Sequence, residues 1–363
     1  MTNLHDLHAD HGQSPWLDNL RRNWITGGEL QAWIDRGIRG ITSNPTIFQK
    51  AMSSTDVYDA DLGAATRSGR SIEDAYWDLV TDDIGAATAL LLPVHEASDG
   101  VDGYVSVEVS PELAHDTAGT VAAARELDQR IDAPNLYVKI PATAEGVDAI
   151  RTMISEGRSI NVTLIFSIER YDQVIEAYIS GLEAYSGDLS TVSSVASFFI
   201  SRVDTEVDRR LDEIGTPEAR ALAGRAAVAQ AKLAYELFQQ RFSGPRWEAL
   251  AQRGARVQRP LWASTSTKNP DYPDTLYVDS LIGPDTVNTM PEATLEAFDD
   301  HGTPARTIDT GLDDAHSVID TLPRVGVDLA DVSERLENEG VASFAKSFGE
   351  VLGTLGERAE GLG

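Results

Sequence analysis

The chain contains no cysteine, which excludes disulfides, thiolate metal sites and a cysteine nucleophile and fits a reducing compartment. Positive charge is also scarce. Thirty Lys and Arg stand against 58 Asp and Glu, a formal charge of −28, and no basic run occurs. A nucleic-acid partner needs a basic face to neutralise phosphates, so that class is excluded. Long apolar runs are missing too: the longest, around residues 189–201, is too short and too serine-rich to span a bilayer. The opening MTNLHDLHADHGQSPW lacks the basic segment and apolar core of a secretory signal. The seven histidines show no ligand spacing on a common element, so no metal is expected. What remains is a soluble cytoplasmic globular chain whose 42% apolar content suffices for a sizeable core.

Lysine is the most informative shortage. Only Lys50, Lys139, Lys232, Lys268 and Lys346 occur, and the other 25 of the 30 basic residues are arginine. One of the five sits inside LYVKIPAT, residues 136–143, where Leu136, Val138 and Ile140 alternate with Tyr137, Lys139 and Pro141. That is a short strand ending in a turn. Burial disfavours a charged ammonium, and the neutral amine is a nucleophile towards carbonyls, so Lys139 is the candidate Schiff-base lysine. The plain alternative is a strand lysine that snorkels to solvent at a sheet edge or pairs with a carboxylate.

Taken in order, the chain alternates short apolar segments with helical patterns. A stretch at 15–18 ends in Asp18, GIRGITSNP at 37–45 reads as a strand delivering Asn44 to a helix begun by Pro45, and 56–95 holds two helices with no strand between. GYVSVEVSP at 103–111 presents Glu108, SINVTLIFS at 159–167 carries Asn161 and Thr163, and 189–200 carries Ser197 with Arg202 just after. A long alanine-rich helix is expected over 217–242. PLWASTST at 260–267 then leads into Lys268, and 285–290 forms the last strand. Eight such units predict a single (β/α)8 TIM-barrel domain over 1–363 with additional peripheral helices, a fold of about 250 residues that extends beyond 400 with insertions. Residues 1–13 are expected to be a flexible arm, and 311–363 to be helices packed on the outside of the barrel. A doubly wound open sheet is the alternative, but no glycine-rich phosphate loop opens any helix.

In a barrel the carboxyl ends of the strands converge on one mouth. Asp18, Asn44, Glu108, Lys139, Asn161, Thr163, Ser197, Arg202, Ser266 and Lys268 would share it. Schiff-base chemistry needs an acid and a base beside the lysine, which Glu108 and Thr163 could supply through a water. Carbon–carbon cleavage needs a base for the adjacent hydroxyl, for which Asp18 is the candidate. Arg202 as a fork and Lys268 as a point charge could hold a phosphate. Each has a plainer reading: Asp18 as a helix cap, Asn44 as turn chemistry, Glu108 as an arginine partner, Thr163 as a strand former and Arg202 as a solvated helix residue. Their shared position carries the weight.

WLDN at 16–19, GITSNPTIF at 40–48, VSVEVSP at 105–111, YVKIPAT at 137–143, INVTLIFS at 160–167 and SFFISRVD at 197–204 together resemble the transaldolase family. WASTSTKNP at 262–270 and GPDTVNTMP at 283–291 resemble its longer bacterial branch. The resemblance implies a TIM barrel of the pentose phosphate pathway that uses no cofactor or metal. It implies transfer of a dihydroxyacetone unit from sedoheptulose 7-phosphate to glyceraldehyde 3-phosphate, giving erythrose 4-phosphate and fructose 6-phosphate, by a homodimer or monomer acting on sugar phosphates. It assigns the Schiff base to Lys139, the C4-hydroxyl base to Asp18 and a proton-shuttling water to Glu108 and Thr163. Asn44, Asn161 and Ser197 orient the dihydroxyacetone hydroxyls, and Arg202 binds phosphate. In one departure, Lys268 stands where many members carry arginine as a second phosphate ligand; Ser264 and Ser266 are both candidate partners, with Ser266 favoured. Related fructose-6-phosphate aldolases carry glutamine and tyrosine where this chain has Glu108 and Phe199, so these two residues point to transfer. A lyase that releases free dihydroxyacetone and a non-catalytic sugar-phosphate-binding barrel are the alternatives.

Overall fold

The structure, a computed structural model, describes residues 2–362. Eight strands form a closed barrel in sequence order, β1 (Gln13–Leu17), β2 (Gly40–Ile41), β3 (Tyr104–Glu108), β4 (Leu136–Pro141), β5 (Ile160–Ile165), β6 (Ser194–Phe199), β7 (Arg259–Ala263) and β8 (Thr286–Met290). Every pairing is parallel. β1 pairs with β8 from Gln13↔Thr286 to Leu17↔Met290, and this closure excludes the open doubly wound sheet. All strand residues are buried, as expected where helices cover one face and the barrel interior the other. No helix among the described residues is long and apolar enough to cross a membrane.

Several elements depart from expectation for identifiable reasons. The segment 37–45 pairs only at Gly40–Ile41. Glycine is required there because a Cβ at residue 40 would lie 2.3 Å from the Trp16 indole, and the next residues turn their hydroxyls to other partners. In 189–200 the strand begins only at Ser194, after a 3-10 turn at Leu189–Thr191. The helix expected over 217–242 breaks into Pro217–Arg220 and Ala226–Arg241. At the break Gly224 adopts φ +70, and its N–H donates to Asp208 Oδ1 at 2.9 Å. In place of a flexible arm over 1–13, Asn3–Ala9 is a helix with Leu4 and Leu7 fully buried, and Gln13 already belongs to β1. Finally, Leu329–Leu362 does not simply pack on the outside, because Ser343 and Phe344 reach the barrel mouth.

The barrel interior is layered. Tyr137 stacks on Trp16 (centroids 6.1 Å apart) and on Tyr104 (4.0 Å). Because β1 and β4 are not neighbours in the sheet, Trp16 and Tyr137 meet across the interior and fill it. Below this layer, at the amino ends of the strands, the fully buried Asp102 accepts from Arg39 Nε at 2.7 Å, Arg259 Nη2 at 2.9 Å and Ser14 Oγ at 2.9 Å. Burial alone would raise this carboxyl, but Arg259 and Arg39 outweigh it and hold Asp102 at about 2. Its folded value lies below its unfolded one, so the stabilisation is present above the ordinary carboxylate range and lost as pH falls towards 2. Asp102→Asn strands the buried Arg259 guanidinium and the partly buried one of Arg39 and should lower unfolding free energy by about 3 kcal/mol in denaturant titration at neutral pH, the gap to the native chain narrowing as pH falls. A loss under 1 kcal/mol would show that the cluster is not the brace of the barrel floor.

Candidate active site

At the opposite end the strands deliver a second polar set. In parallel pairing, Glu108 on β3 stands beside Lys139 on β4, and Lys139 beside Asn161 on β5. Side chains two apart on a strand share a face, so Tyr137 in the aromatic layer puts Lys139 one level above it, facing inwards. Lys139 Nζ lies 3.2 Å from Glu108 Oε2 and donates to the Ser43 carbonyl at 3.1 Å, with both charged residues buried. The pairing with a carboxylate foreseen as an alternative for Lys139 is therefore present, but inside the barrel and not at an edge. The ion-pair geometry leaves Glu108 Oε2 without a hydrogen bond, and Thr163 Oγ1 is likewise buried without a partner. Two polar atoms in one site thus retain unused capacity.

Above the pair opens a cavity of about 430 Å³. Asp18, Asn44, Lys139, Thr163, Ser197, Phe199, Arg202, Ser266 and Lys268 line it, so nine expected residues reach one space. Glu108 and Asn161 lie beneath the lining: the first touches Lys139, and the second accepts from Ser197 Oγ at 2.7 Å while donating to Ser106 Oγ at 3.0 Å. Asp18 is not a helix cap. Its backbone N–H donates to the Met290 carbonyl at 2.8 Å, and its carboxylate accepts from Thr42 Oγ1 at 2.7 Å. Asn44 does cap, accepting from the Ile47 N–H at 3.0 Å, and still faces the cavity.

Burial raises the Asp18 carboxyl, against the opposing pull of Lys139, the Thr42 hydroxyl, Arg202 and Lys268. Burial raises Glu108 as well, again against Lys139. Two carboxylates near one ammonium, both pushed towards the neutral form, can exchange protons at moderate pH.

The rim is cationic. The Arg202 guanidinium lies over Phe199, 5.1 Å from its centroid, and Lys268 Nζ donates to Ser266 Oγ at 2.6 Å. Arg202 is not a solvated partner of its helix neighbours: Asp204 accepts from the Ala227 N–H and from Tyr277, and Glu206 pairs with Arg209 and Arg210. Ser264, at φ +56, is engaged with Ser201 Oγ at 2.9 Å. Burial, followed by the charges of Arg202 and Lys50, lowers the Lys268 ammonium. Lys50, unforeseen, lines the cavity from the helix Pro45–Ser54. Its available signal was scarcity, since Lys50, Lys139 and Lys268 make three of only five lysines in one cavity. Arg202, Lys268 and Lys50 form no ion pair among the described residues, in a chain with nearly twice as many acids as bases. Thr42, Ser343 and Phe344 were also missed. The first stands at the carboxyl end of the 37–45 strand without a role of its own, and the others lie in the C-terminal helix, far in sequence from the other site residues.

The fold and this mouth define a (β/α)8-barrel enzyme with a buried lysine–carboxylate centre under an anion-attracting rim. Residues 15–355 match the family model described as transaldolase/fructose-6-phosphate aldolase, and the chain belongs to that family. It is similar to proteins named transaldolase from Frankia alni (51% identical over 352 residues, 96% of this chain and 95% of the relative) and Thermobifida fusca (52% over 355 residues, 96% of each). A transaldolase from Mycobacterium leprae is 49% identical over 357 residues, covering 97% of this chain and 95% of the relative.

Thr42→Val removes a donor that favours the charged form of Asp18. The Asp18 carboxyl should then titrate higher still in a carbon-13 NMR titration. An unmoved midpoint would mean that the Thr42 hydroxyl serves Thr289, 2.6 Å away, in its place.

Proposed function

We propose that this enzyme transfers a dihydroxyacetone unit from sedoheptulose 7-phosphate to glyceraldehyde 3-phosphate, giving erythrose 4-phosphate and fructose 6-phosphate, through a Schiff base on Lys139. The observation that carries this reading is the Lys139 ammonium 3.2 Å from Glu108 on the floor of a cavity rimmed by unpaired cations. The lysine amine adds to the ketose C2, and loss of water from the carbinolamine gives an iminium. Glu108, with Thr163 through a water, accepts and returns the protons these steps need; their unpartnered buried oxygens support that role. Asp18 takes the proton of the C4 hydroxyl, the C3–C4 bond breaks, and its electron pair moves into the iminium to leave an enamine. The aldehyde departs and a second one enters. The enamine C3 attacks the new carbonyl, Asp18 returns the proton, and water releases the new ketose.

Asn161, fixed between Ser106 and Ser197, and Asn44, fixed by its cap, are suited to orient the dihydroxyacetone hydroxyls. Arg202, Lys268 with Ser266, and Lys50 take the phosphate. Glu108 and Phe199 support transfer over plain release. A cysteine-free chain supports a cytoplasmic setting. Among large apolar side chains only Val57 and Val101 are exposed in the described residues, which supports the monomer.

Fructose 6-phosphate mixed with erythrose 4-phosphate should yield sedoheptulose 7-phosphate, and fructose 6-phosphate alone should release little dihydroxyacetone. Release indifferent to acceptor would make the enzyme a lyase. Lys139→Ala should abolish both outputs while circular dichroism stays native, and retained turnover would reassign the nucleophile. Lys268→Ala should raise KM for phosphorylated substrates about 10-fold or more, a charged hydrogen bond being worth roughly 1.5–3 kcal/mol, with kcat little changed. An unchanged KM would remove Lys268 from the phosphate site. Because Asp18 must be ionised and burial raises its carboxyl, kcat/KM should fall on acidification while pH is still above the ordinary carboxylate range. An acid limb at or below that range would assign the base elsewhere.

A further inference from the structure

The C-terminal helix Leu329–Leu362 buries Leu336, Gly340, Phe344, Ser347, Phe348, Val351, Leu355 and Ala359, a stripe at three- and four-residue spacing laid against the barrel. It comes close to the barrel at Gly340, where an added Cβ would stand 2.9 Å from Leu164 Cδ2. Leu164 tops β5 beside Thr163, at φ +58, where the register with β6 shifts. One turn further on, Phe344 reaches into the cavity. The residue is 3% exposed, with its ring centroid 5.9 Å from Lys139 Nζ and 6.0 Å from Arg202 Cζ. The helix is fastened on both sides of this point. Arg210 pairs with Asp331 at 2.6 Å, Thr46 and Ser347 share a hydrogen bond of 2.9 Å, and Arg358 donates to the Met52 and Thr55 carbonyls at 2.6 and 2.7 Å.

Phe199, Ile47 and Ala263 aside, the walls around Lys139 are polar: Asp18, Thr42, Asn44, Thr163 and Ser197 would all hold water. An aromatic ring offers water no partner. This matters for the three-carbon enamine, which has two fates. Its C3 can attack an aldehyde, which is transfer. Alternatively C3 takes a proton, water adds to C2 of the resulting iminium, and the C–N bond breaks, so that one water is consumed and dihydroxyacetone and the free Lys139 amine are released. Transfer requires the second route to stay slow while one aldehyde leaves and another enters.

We propose that Phe344 is a specificity-determining residue, the apolar wall that keeps solvent from the Lys139-bound enamine and so sets the ratio of transfer to release. The inference rests on the Schiff-base reading above. The test compares the native enzyme with Phe344→Ala and with Phe344→Leu, which keeps an apolar side chain. Each is given fructose 6-phosphate with and without erythrose 4-phosphate, dihydroxyacetone and sedoheptulose 7-phosphate are quantified by NMR, and parallel samples are trapped with borohydride. The release-to-transfer ratio should rise about tenfold in Phe344→Ala, a change of ~1.4 kcal/mol between the two barriers, and less in Phe344→Leu. An unchanged ratio in Phe344→Ala with the Lys139 adduct still formed would overturn the proposal. So would a higher KM for phosphorylated substrates at constant ratio, which would make Phe344 only a support for Arg202. Failure to trap any adduct in the native enzyme would overturn the Schiff-base reading, and this inference with it.

Discussion

The constraint on which the structure turns is one buried ion pair, Lys139 with Glu108, held 3.2 Å apart by adjacent parallel strands in register. Taking two charges out of water costs several kcal/mol per ion, and their attraction repays this only with good geometry and further hydrogen bonds. The barrel meets the condition in part. The Ser43 carbonyl accepts from the ammonium, and the Val109 N–H donates to the Lys139 carbonyl at 3.1 Å, which pins the two strands at this level. Glu108 Oε2 is left short of a hydrogen bond, and the carboxyl is raised by burial. A pair so poorly compensated is a weak contributor to stability and a ready site for proton exchange.

The two ends of the barrel make the contrast plain. At the floor, Asp102 has every neighbour it needs in Arg39, Arg259 and Ser14, and its carboxyl is held down. At the mouth, Asp18 and Glu108 are pushed up, Thr163 Oγ1 has no partner, and Arg202, Lys268 and Lys50 face the cavity with no ion-pair partner among the described residues. The stacked rings of Trp16, Tyr137 and Tyr104 separate the two levels. The floor carboxylate is fully paired and braces the fold, while the mouth has capacity that an anionic carbonyl compound would satisfy. The long terminal helix completes this division by bringing an apolar ring over the lysine and fastening it with ion pairs and hydrogen bonds outside the cavity.

Much of this was legible in the chain, because its determinants are local. Alternating apolar residues mark the strands, most strand tops carry a polar residue, and a lysine among so few was conspicuous in β4. Other features depend on distant partners. Phe344 lies in an apolar helical stripe that reads as core, and only the close approach allowed by Gly340 turns it towards Lys139. Lys50 follows Asn44 by six residues as an exposed residue of the helix Pro45–Ser54 and gains meaning only from Lys268 across the mouth. Asp102 reads as a loop acid between two glycines until Arg39 and Arg259 are brought to it. The helix Asn3–Ala9 is short and polar, and it is ordered by burying Leu4 and Leu7. Leu164 at φ +58 carries no local sign at all, since a leucine has no preference for that conformation.

The central claim is that the lysine of the buried pair forms the covalent bond. Its most direct test is borohydride reduction of the intact protein in the presence of fructose 6-phosphate, followed by mass spectrometry of the chain and its peptides. The account predicts one adduct of dihydroxyacetone size, on the peptide containing Lys139 and on no peptide containing Lys50 or Lys268. An adduct on either rim lysine, or none on a folded protein that binds the substrate, would contradict it.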